Sequence, residues 1–301
     1  MNRAKRKTDN SINTKQTYRQ KNDKIFFGAY PQSKVDDDFL IAALNSKTSE
    51  RKNEASYVCY KTDNRATFRY FDIDYDSRKY RGVFFDEPNN RFEKSKNNDC
   101  QKNNEYCSNT VYWFEYRPIE WKILDERNGK VLVLSDYIIE NRQFCISSDN
   151  RIKNGVTIYP NDYAESDIRK WLNEVFYDTA FSSSEKQSIR KTTVDNGESS
   201  TGEEWNEFVC DNTDDNVFLL SYKELSDYLS RGERLKYPTD YAVFLRGFRN
   251  TKEEDESFLW WLRSPDFMDS AGVRVVENDS FVYDDFVCLS LGVVPALIIS
   301  L

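Results

Sequence analysis

The side chains that could perform chemistry in this chain are carboxylates and thiols, because the sequence contains no histidine. The absence of imidazole excludes Ser-His-Asp and Cys-His catalysis and zinc sites with histidine ligands. No CxxC pair occurs, and the cysteines are scattered at Cys59, Cys100, Cys107, Cys145, Cys210 and Cys288. This spacing favours unpaired cytosolic thiols, with a local disulfide between Cys100 and Cys107 as the alternative. We expect no metal site and no cofactor.

Adjacent carboxylates occur at Asp214-Asp215 and at Asp284-Asp285. Acid–base catalysis by two carboxylates requires environments that separate their pKa values. Neighbouring side chains on a strand point to opposite faces, so Asp284 and Asp285 would not share one site. The pairs are predicted to be solvated surface acids, and the sequence favours a binding protein over an enzyme.

Two arginines near the C-terminus, Arg263 and Arg274, lie within apolar strand patterns. Arg263 follows Trp260 and Trp261, where an arginine rarely serves solubility. We predict that it is buried against a carboxylate or backbone carbonyls and connects the last strands, with direct ligand contact as the alternative. The predicted structural residues are Trp171, Trp260, Trp261, Arg263 and Arg274.

The charge of the 301-residue chain is uneven, although its net value is −8. The first 24 residues carry eight Lys/Arg against two Asp, or +6, which leaves −14 for the rest. Residues 1–23 are therefore predicted to be a disordered basic leader. An acidic body is a poor match for nucleic acid, so only weak contact through the leader is expected. Without an apolar signal segment or an 18-residue apolar run, we expect a cytoplasmic protein with no transmembrane segment, unless another route exports it.

The elements that must position these groups are predicted to form one α+β domain over residues 24–301, with strands at both ends and two or three helices in the middle. A first strand is expected from Lys24, a short helix after the Asp36–Asp38 run, and a meander of strands over residues 57–86. Alternating apolar residues around Asn128-Gly129 predict a hairpin with a type I′ turn. Polar residues 87–109 and 195–216 are predicted to be surface loops.

The clearest helix signal is a set of apolar residues at helical spacing, Ile168, Trp171, Leu172, Val175 and Phe176. Ser166 or Asp167 is predicted to cap that helix. Two capping boxes, Ser182-x-x-Glu185 and Ser221-x-x-Glu224, predict the starts of two further helices.

From Trp260 onward the chain reads as strands, WWLR, GVRVV, SFVY and VVPALIISL, separated by polar and aromatic residues. Val282 is expected in the core, with Phe281 and Tyr283 on the other face. Rigid aromatic rings and adaptable polar groups together suit recognition. The residues predicted to contact a protein or glycan ligand are Asp266, Phe267, Met268, Asp269, Asn278, Asp279, Phe281, Tyr283, Asp285 and Phe286.

Eight ordered blocks over roughly residues 24–301 carry a family resemblance: FGAYPQ, VYWFEYRPIEWKIL, NGKVLVLSDYII, SDIRKWLNEVFYDTAF, VFLLSYKEL, PTDYA, WWLRSP and GVVPAL. Together they resemble a bacterial family numbered 6273 among the domains of unknown function. That family looks like a distant member of the C-type-lectin-like group that also contains formylglycine-generating enzymes. The features in common are an Arg-containing strand, then a hairpin, then a closing Gly-Val-x-Pro strand.

The resemblance implies a C-type-lectin-like α+β fold, with twisted antiparallel sheets, whose last strands carry a ligand-facing surface. In some relatives, retroelements diversify that surface by mutating adenines in Asn-type codons. Most residues between Asp266 and Ser290 are reachable by such changes, although Met268 and Glu277 are not. The enzymes of the group use two closely spaced cysteines just upstream of the closing motifs, whereas Cys288 stands alone here.

The sequence therefore predicts a non-enzymatic protein that binds a protein or glycan through its last strands. One alternative is a degenerate or novel enzyme of the formylglycine-generating type. The other is a structural or assembly module of a phage or mobile element, in which the basic leader would hold an acidic partner.

Overall fold

The computed structural model describes residues 24–48, 56–58, 68–84, 110–246 and 259–300. The predicted basic leader (residues 1–23), the predicted surface loop 87–109 and three cysteines lie outside the described residues; the cysteines are Cys59, Cys100 and Cys107.

The larger sheet has seven strands: β1 (Lys24–Lys34), β2 (Ser56–Val58), β3 (Phe68–Tyr75), β4 (Arg78–Phe84), β5 (Tyr112–Arg127), β6 (Lys130–Ser135) and β18 (Ala296–Ser300). Their order is β18-β6-β5-β4-β3-β2, with β1 paired to β5, and every pair is antiparallel. The predicted first strand and meander are present. The predicted hairpin is confirmed as β5–β6, because Asn128 (φ 54°) and Gly129 (φ 69°) both adopt the left-handed conformation that a type I′ turn requires.

The smaller sheet has five strands: β8 (Glu140–Arg142), β14 (Trp260–Pro265), β15 (Gly272–Val276), β16 (Val282–Phe286) and β17 (Leu291–Val293). Their order is β16-β15-β14-β17-β8, so β16 is an edge strand. Within this sheet the β14–β17 pair is parallel and the other three pairs are antiparallel. Three two-stranded ladders complete the strands: β7 (Tyr137–Ile138) with β13 (Tyr237–Pro238), β9 (Arg151–Lys153) with β10 (Val156–Ile158), and β11 (Thr192–Val194) with β12 (Thr213–Asp215).

The predicted short helix after the Asp36–Asp38 run is present as α1 (Asp38–Ser46). The middle of the chain contains more and shorter helices than the two or three predicted. They are α2 (Asp167–Trp171), a π-helical segment (Leu172–Phe176), α3 (Tyr177–Ala180), α4 (Ser183–Ser188), α5 (Glu198–Thr201), α6 (Tyr222–Tyr228), the 3₁₀ turn Arg231–Glu233 and α7 (Asp240–Arg246). The predicted cap Ser166 begins α2 and accepts a hydrogen bond from the backbone N–H of Arg169 at 3.2 Å. Both predicted capping boxes are confirmed, at the starts of α4 and α6. No helix in the described ranges is long and apolar enough to cross a membrane.

The main hydrophobic core lies between the two sheets. The larger sheet contributes Trp121 and Val133, and the smaller sheet contributes Trp260, Trp261 and Val275, all fully buried. A second cluster under α1 contains Leu44, Phe71, Ile73 and Trp113. The structure is therefore an α+β protein in which strands predominate.

The last predicted strand, VVPALIISL, is divided between the two sheets. β17 pairs in the smaller sheet and β18 pairs with β6 in the larger one, with Val294 and Pro295 between them. Proline has no backbone N–H for a ladder, so a change of sheet at this position loses no strand hydrogen bond.

The prediction that residues 195–216 form a surface loop is partly wrong. This segment contains α5 and β12, and several of its polar residues are buried. Asn196 donates to the carbonyl of Asp211 at 3.0 Å, and Asn206 donates to that of Pro265 at 3.3 Å. Polar side chains are readily buried when backbone groups satisfy their hydrogen bonds, and composition does not reveal such partners.

Candidate binding surface

The C-terminal strands are held by buried tryptophans. Trp260 and Trp261 are fully buried on β14. The indole N–H of Trp260 donates to the carbonyl of Arg234 at 3.0 Å, and that of Trp261 donates to the carbonyl of Arg142 at 2.8 Å. Trp171 is also buried, with the Arg142 guanidinium 4.7 Å from its ring centroid. The structure thus places all three predicted structural tryptophans in the interior.

Arg263 is buried beside them and is surrounded by acceptors from the protein itself. It donates to the carbonyl of Leu219 at 2.6 Å and to that of Asp195 at 2.9 Å, and it forms an ion pair with Glu224. Its Nε donates to Asn196 at 3.2 Å. These bonds connect β14 to the polar segment after β11, so the position favours the structural role over ligand contact.

Arg274 on β15 links three carboxylates at the border between interior and solvent. Its guanidinium lies 2.6 Å from Glu203, 3.5 Å from Asp266 and 3.7 Å from Asp284. It also lies 5.7 Å from the ring centroid of Phe267. Arg274 therefore fixes the position of the β14–β15 turn relative to the edge strand.

Asp266, predicted to contact a ligand, is instead buried, with 5% of its surface exposed. One carboxylate oxygen accepts from the backbone N–H groups of Met268 at 3.1 Å and Asp269 at 3.0 Å. An aspartate at the first position of a turn often bonds to the backbone in this way. Asp266 therefore stabilises the turn and does not present a group to a ligand.

At the β14–β15 end, three predicted contact residues are exposed: Phe267 by 41%, Met268 by 78% and Phe286 by 56%. Phe286 reaches this end because it lies opposite Gly272 in the β15–β16 ladder. Asp269 is also exposed.

The β15–β16 turn carries a second exposed group, with Phe281 exposed by 46% and Tyr283 by 44%. Asp279 accepts from the backbone N–H of Phe281 at 2.9 Å and from the hydroxyl of Tyr283 at 3.0 Å. The guanidinium of Arg231 lies 3.4 Å from the Phe281 ring centroid. Asn278 is exposed in the same turn.

The two groups lie at opposite ends of β16, a five-residue strand that spans roughly 17 Å. Tyr283 and Asp285 lie opposite the buried Val275 and Val273, whereas Asp284 lies opposite Arg274 on the other face. Val282 packs against the core, as predicted. The predicted contact residues thus follow an edge instead of one flat face. We call this the edge surface, and it comprises Phe267, Met268, Asp269, Asn278, Asp279, Phe281, Tyr283, Asp284, Asp285 and Phe286.

Negative charge dominates the edge surface. Partial burial raises the pKa of Asp285, and burial together with repulsion from Asp279 and Asp285 raises the pKa of Glu277. The hydrogen bond to Asp279 raises the pKa of Tyr283, so its phenol stays protonated at neutral pH. Acidification would therefore protonate Asp285 and Glu277 earlier than isolated carboxylates.

Sequence reasoning missed two residues beside the edge surface. Trp205 is exposed by 61% and lies between Glu203, which binds Arg274, and Asn206, which binds β14. Arg231 packs on Phe281 from the 3₁₀ turn. Trp205 could have been predicted as a contact residue, because it is a single tryptophan in a polar stretch. The sequence around Arg231 contains no comparable feature.

Two of the described thiols, Cys145 and Cys210, do not have the environment of catalytic cysteines. Both are free thiols. Burial raises the pKa of the Cys145 thiol and raises that of Cys210 to about 12, whereas a nucleophilic thiolate requires a lowered pKa. Within the described ranges, no three His, Cys, Asp or Glu side chains are grouped so that they could hold a metal ion.

The fold and this surface define a class: an α+β protein of two antiparallel-rich sheets around a shared core, with an aromatic and acidic edge hairpin. The model of the family described as Domain of unknown function (DUF6273) matches residues 128–301, more than half of the chain, and the protein belongs to that family. The matched residues include the whole edge surface. No curated protein and no solved structure matches the chain.

Proposed function

We propose that the protein is a non-enzymatic binding protein whose edge surface contacts a protein ligand with basic side chains. One observation carries this proposal. Fifteen large hydrophobic side chains are exposed among the described residues, and five of them lie within residues 267–286. They form two groups along one edge of the smaller sheet, at the two ends of β16. Exposed large hydrophobic residues grouped in this way are typical of contact sites, because burying them on binding contributes most of the free energy of association.

The charge of the edge surface supports a basic ligand. Carboxylates at Asp269, Asp279, Asp284 and Asp285 alternate with the exposed rings, and the body of the protein is itself acidic. Complementary charge increases the association rate and excludes acidic competitors. The edge position of β16 also leaves backbone groups able to pair with an added strand.

The proposal extends to the C-type-lectin-like group. The order of an Arg-containing strand, a hairpin and a closing Gly-Val-x-Pro strand supports this relationship, and these pieces correspond to β14, β15–β16 and β17–β18. Most residues of the edge surface are of types that adenine mutation in Asn-type codons can produce, and this supports diversification by a retroelement. Met268 and Glu277 are the exceptions. A reverse transcriptase gene beside a near-copy of the coding sequence for the last strands would test that part.

The binding proposal is tested with a displayed library of random peptides and, in parallel, a glycan array. We expect selected peptides to be rich in Lys and Arg, and their affinity to fall at least tenfold in Tyr283→Ala and Phe286→Ala. The matched control is Phe39→Ala, because Phe39 is 90% exposed on α1, far along the chain. Equal affinity for all variants, or selective binding of glycans alone, would overturn the assignment of a protein ligand to this surface.

The same variants separate contact residues from structural residues. Phe281→Ala and Phe286→Ala should change the free energy of unfolding by less than about 1 kcal/mol, since both rings are half exposed. Trp171→Ala and Trp261→Ala should cost about 3–5 kcal/mol. Urea titration measures both, and a reversed order would contradict the division.

A further inference from the structure

The hydrogen bonds between β15 and β16 determine which backbone groups of the edge strand point away from the sheet. At one end of this ladder the N–H of Val287 donates to the carbonyl of Ala271 at 2.9 Å. At the other end the N–H of Glu277 donates to the carbonyl of Phe281 at 3.0 Å. The ladder between these bonds has no register shift, and hydrogen-bonded and non-hydrogen-bonded pairs alternate along an antiparallel ladder.

This alternation divides the residues of β16 into two sets. Tyr283 and Asp285 occupy the positions that exchange hydrogen bonds with β15. Val282, Asp284 and Phe286 occupy the positions between them, so their N–H and C=O groups point to the outer side of β16. No strand of the described residues pairs with that side.

The part of this edge that remains open runs from Val282 to Asp284. The N–H of Phe286 donates to the Asp285 carboxylate at 2.9 Å, and the carbonyl of Phe286 accepts from Leu289 at 2.9 Å. The chain itself therefore closes the edge at Phe286. Val282 and Asp284 together offer two donors and two acceptors to an added strand.

Negative charge surrounds the open part of the edge even after its ion pairs are counted. Arg274 lies within 3.7 Å of three carboxylates, those of Glu203, Asp266 and Asp284, so this cluster has a net charge of −2. Asp285 adds a further negative charge, and no Lys or Arg of the described residues forms an ion pair with it. The edge therefore favours a strand that carries cations.

We propose that an extended basic segment of the protein ligand pairs with β16 as an added strand. Its backbone bonds to Val282 and Asp284, and its Lys or Arg side chains face Asp284 and Asp285. This inference rests on the proposed function, because it specifies the conformation of the ligand on the same surface. Strand addition combines affinity from main-chain hydrogen bonds with specificity from alternate side chains.

The register predicts the order of residues in that segment. The residue directly opposite Asp284 lies on the same face as its carboxylate, and the next residue lies opposite Asp285 on the other face. Two adjacent basic residues therefore meet the two aspartates. Apolar residues at the two following positions meet Tyr283 and Val282, in an antiparallel ligand strand.

A second copy of this chain is a poor occupant of the edge. Pairing two β16 strands would bring Asp284 and Asp285 of both copies together, and like charges on adjacent strands are destabilising. Charged residues on an edge strand commonly prevent such pairing of identical strands. The same charges attract a basic strand.

The test uses calorimetry on the full chain with the capped peptide Thr-Lys-Lys-Val-Val-Thr. Two matched peptides accompany it, one N-methylated at every residue and one with Glu in place of both Lys. We expect saturable binding of the unmodified peptide and affinity at least tenfold lower for each of the others. N-methylation keeps the charge and the side chains but removes the donors of the added strand.

A pair of variants tests the same edge from the side of the protein. Asp284→Ala removes the carboxylate, whereas Asp284→Pro also removes the outward N–H. Proline is tolerated on an edge strand where the N–H faces solvent, so the β15–β16 ladder should remain intact. The proline variant should bind the peptide at least tenfold more weakly than the alanine variant, and urea unfolding checks that both are folded.

Amide hydrogen exchange adds a measurement that contact through side chains alone would not change. Exchange at Val282 and Asp284 should slow when the peptide binds. Exchange at Tyr283 and Asp285 should change little, because these amides already bond to β15.

The outcomes separate this inference from the proposed function. Equal binding of the N-methylated peptide, or equal affinity of the two folded variants, would overturn strand addition and leave a basic ligand in place. Absence of saturable binding by the unmodified peptide would also overturn strand addition, while the displayed library tests the proposed function separately. Preference for the Glu peptide would overturn both. Self-association of the free chain that Asp284→Pro abolishes would assign the edge to a second copy and overturn the inference.

Discussion

At the scale of single residues, Lys236 shows how burial opposes an ion pair. Its side chain is 2% exposed and lies 3.4 Å from Asp136, yet burial lowers its pKa to about 8. Lys24 pairs with the same carboxylate, but hydrogen bonds to Asp136 and Glu120 raise its pKa, because it remains largely solvated. The pKa values of the two lysines therefore shift in opposite directions, because Lys236 is buried and Lys24 is not.

We predict that stability rises between about pH 8 and pH 10.5 because of Lys236. Its pKa is about 8 in the folded protein and 10.5 in the unfolded chain, so the unfolded state binds more protons in that window. The burial cost is fully present below pH 8 and is relieved as the pH rises, by up to about 3 kcal/mol. Urea unfolding of the wild type and Lys236→Met from pH 7 to 10 measures this, and parallel pH profiles for the two proteins would contradict it.

Residue roles were predictable where pattern alone decides them. Trp260 and Trp261 sit in an apolar run, and the structure buries both. The pattern also separated Val282, which packs on the core, from the exposed Phe281 and Tyr283. Asp266 was missed because its burial depends on hydrogen bonds to backbone groups of the turn, which residue type does not reveal.

At the scale of elements, β1 depends on a bulge at Gly28. The register of β1 with β5 shifts between Phe26 and Ala29, and Gly28 has a φ of +68°. Its N–H donates to Glu185 at 2.9 Å, and Glu185 belongs to the capping box that begins α4. The bulge therefore joins the first strand to a helix more than 150 residues later.

We predict that Gly28→Ala destabilises the protein more than Gly129→Ala does. Both glycines have a positive φ, +68° and +69°, which costs an L-residue about 1–2 kcal/mol. A Cβ at Gly28 would lie 2.5 Å from the Phe181 ring, whereas a Cβ at Gly129 would have open space. Overpacking should add about 1–3 kcal/mol at Gly28 alone. Equal losses in thermal or urea unfolding would contradict the role assigned to the bulge.

Elements defined by local signals were predicted well, and those defined by distant partners were not. The Asn128-Gly129 turn and the Ser182 and Ser221 caps depend on neighbouring residues only. The buried polar residues of segment 195–216 and the division of the last strand depend on contacts with β14 and β6, which no local pattern encodes.

At the scale of the whole molecule, the two sheets share one core across the limit of the matched family region. That region begins at residue 128, inside the β5–β6 turn. The strands before it supply Ile25, Phe27 and Trp121 to the main core and pair β5 with β6. The α+β class was predictable from the order of strand and helix patterns, but the sheet order was not, because pairing depends on long-range register.

We predict that a fragment comprising residues 128–301 does not fold alone. It would expose the core face of the smaller sheet and leave β6 with only β18 as a partner. Residues 24–301 should instead unfold in one cooperative transition and protect core amides from hydrogen exchange. A cooperative melt and matching amide protection in the shorter fragment would contradict the shared core.

The β14–β15 turn has a consequence for how related sequences diverge. Asp266 and Asp269 accept hydrogen bonds from backbone N–H groups of this turn, and Arg274 anchors it from β15, so the side chains at 267 and 268 contribute little to keeping its shape. Mutations at these two positions are therefore nearly free of structural cost. Related sequences can therefore vary at 267 and 268 without compensating changes elsewhere.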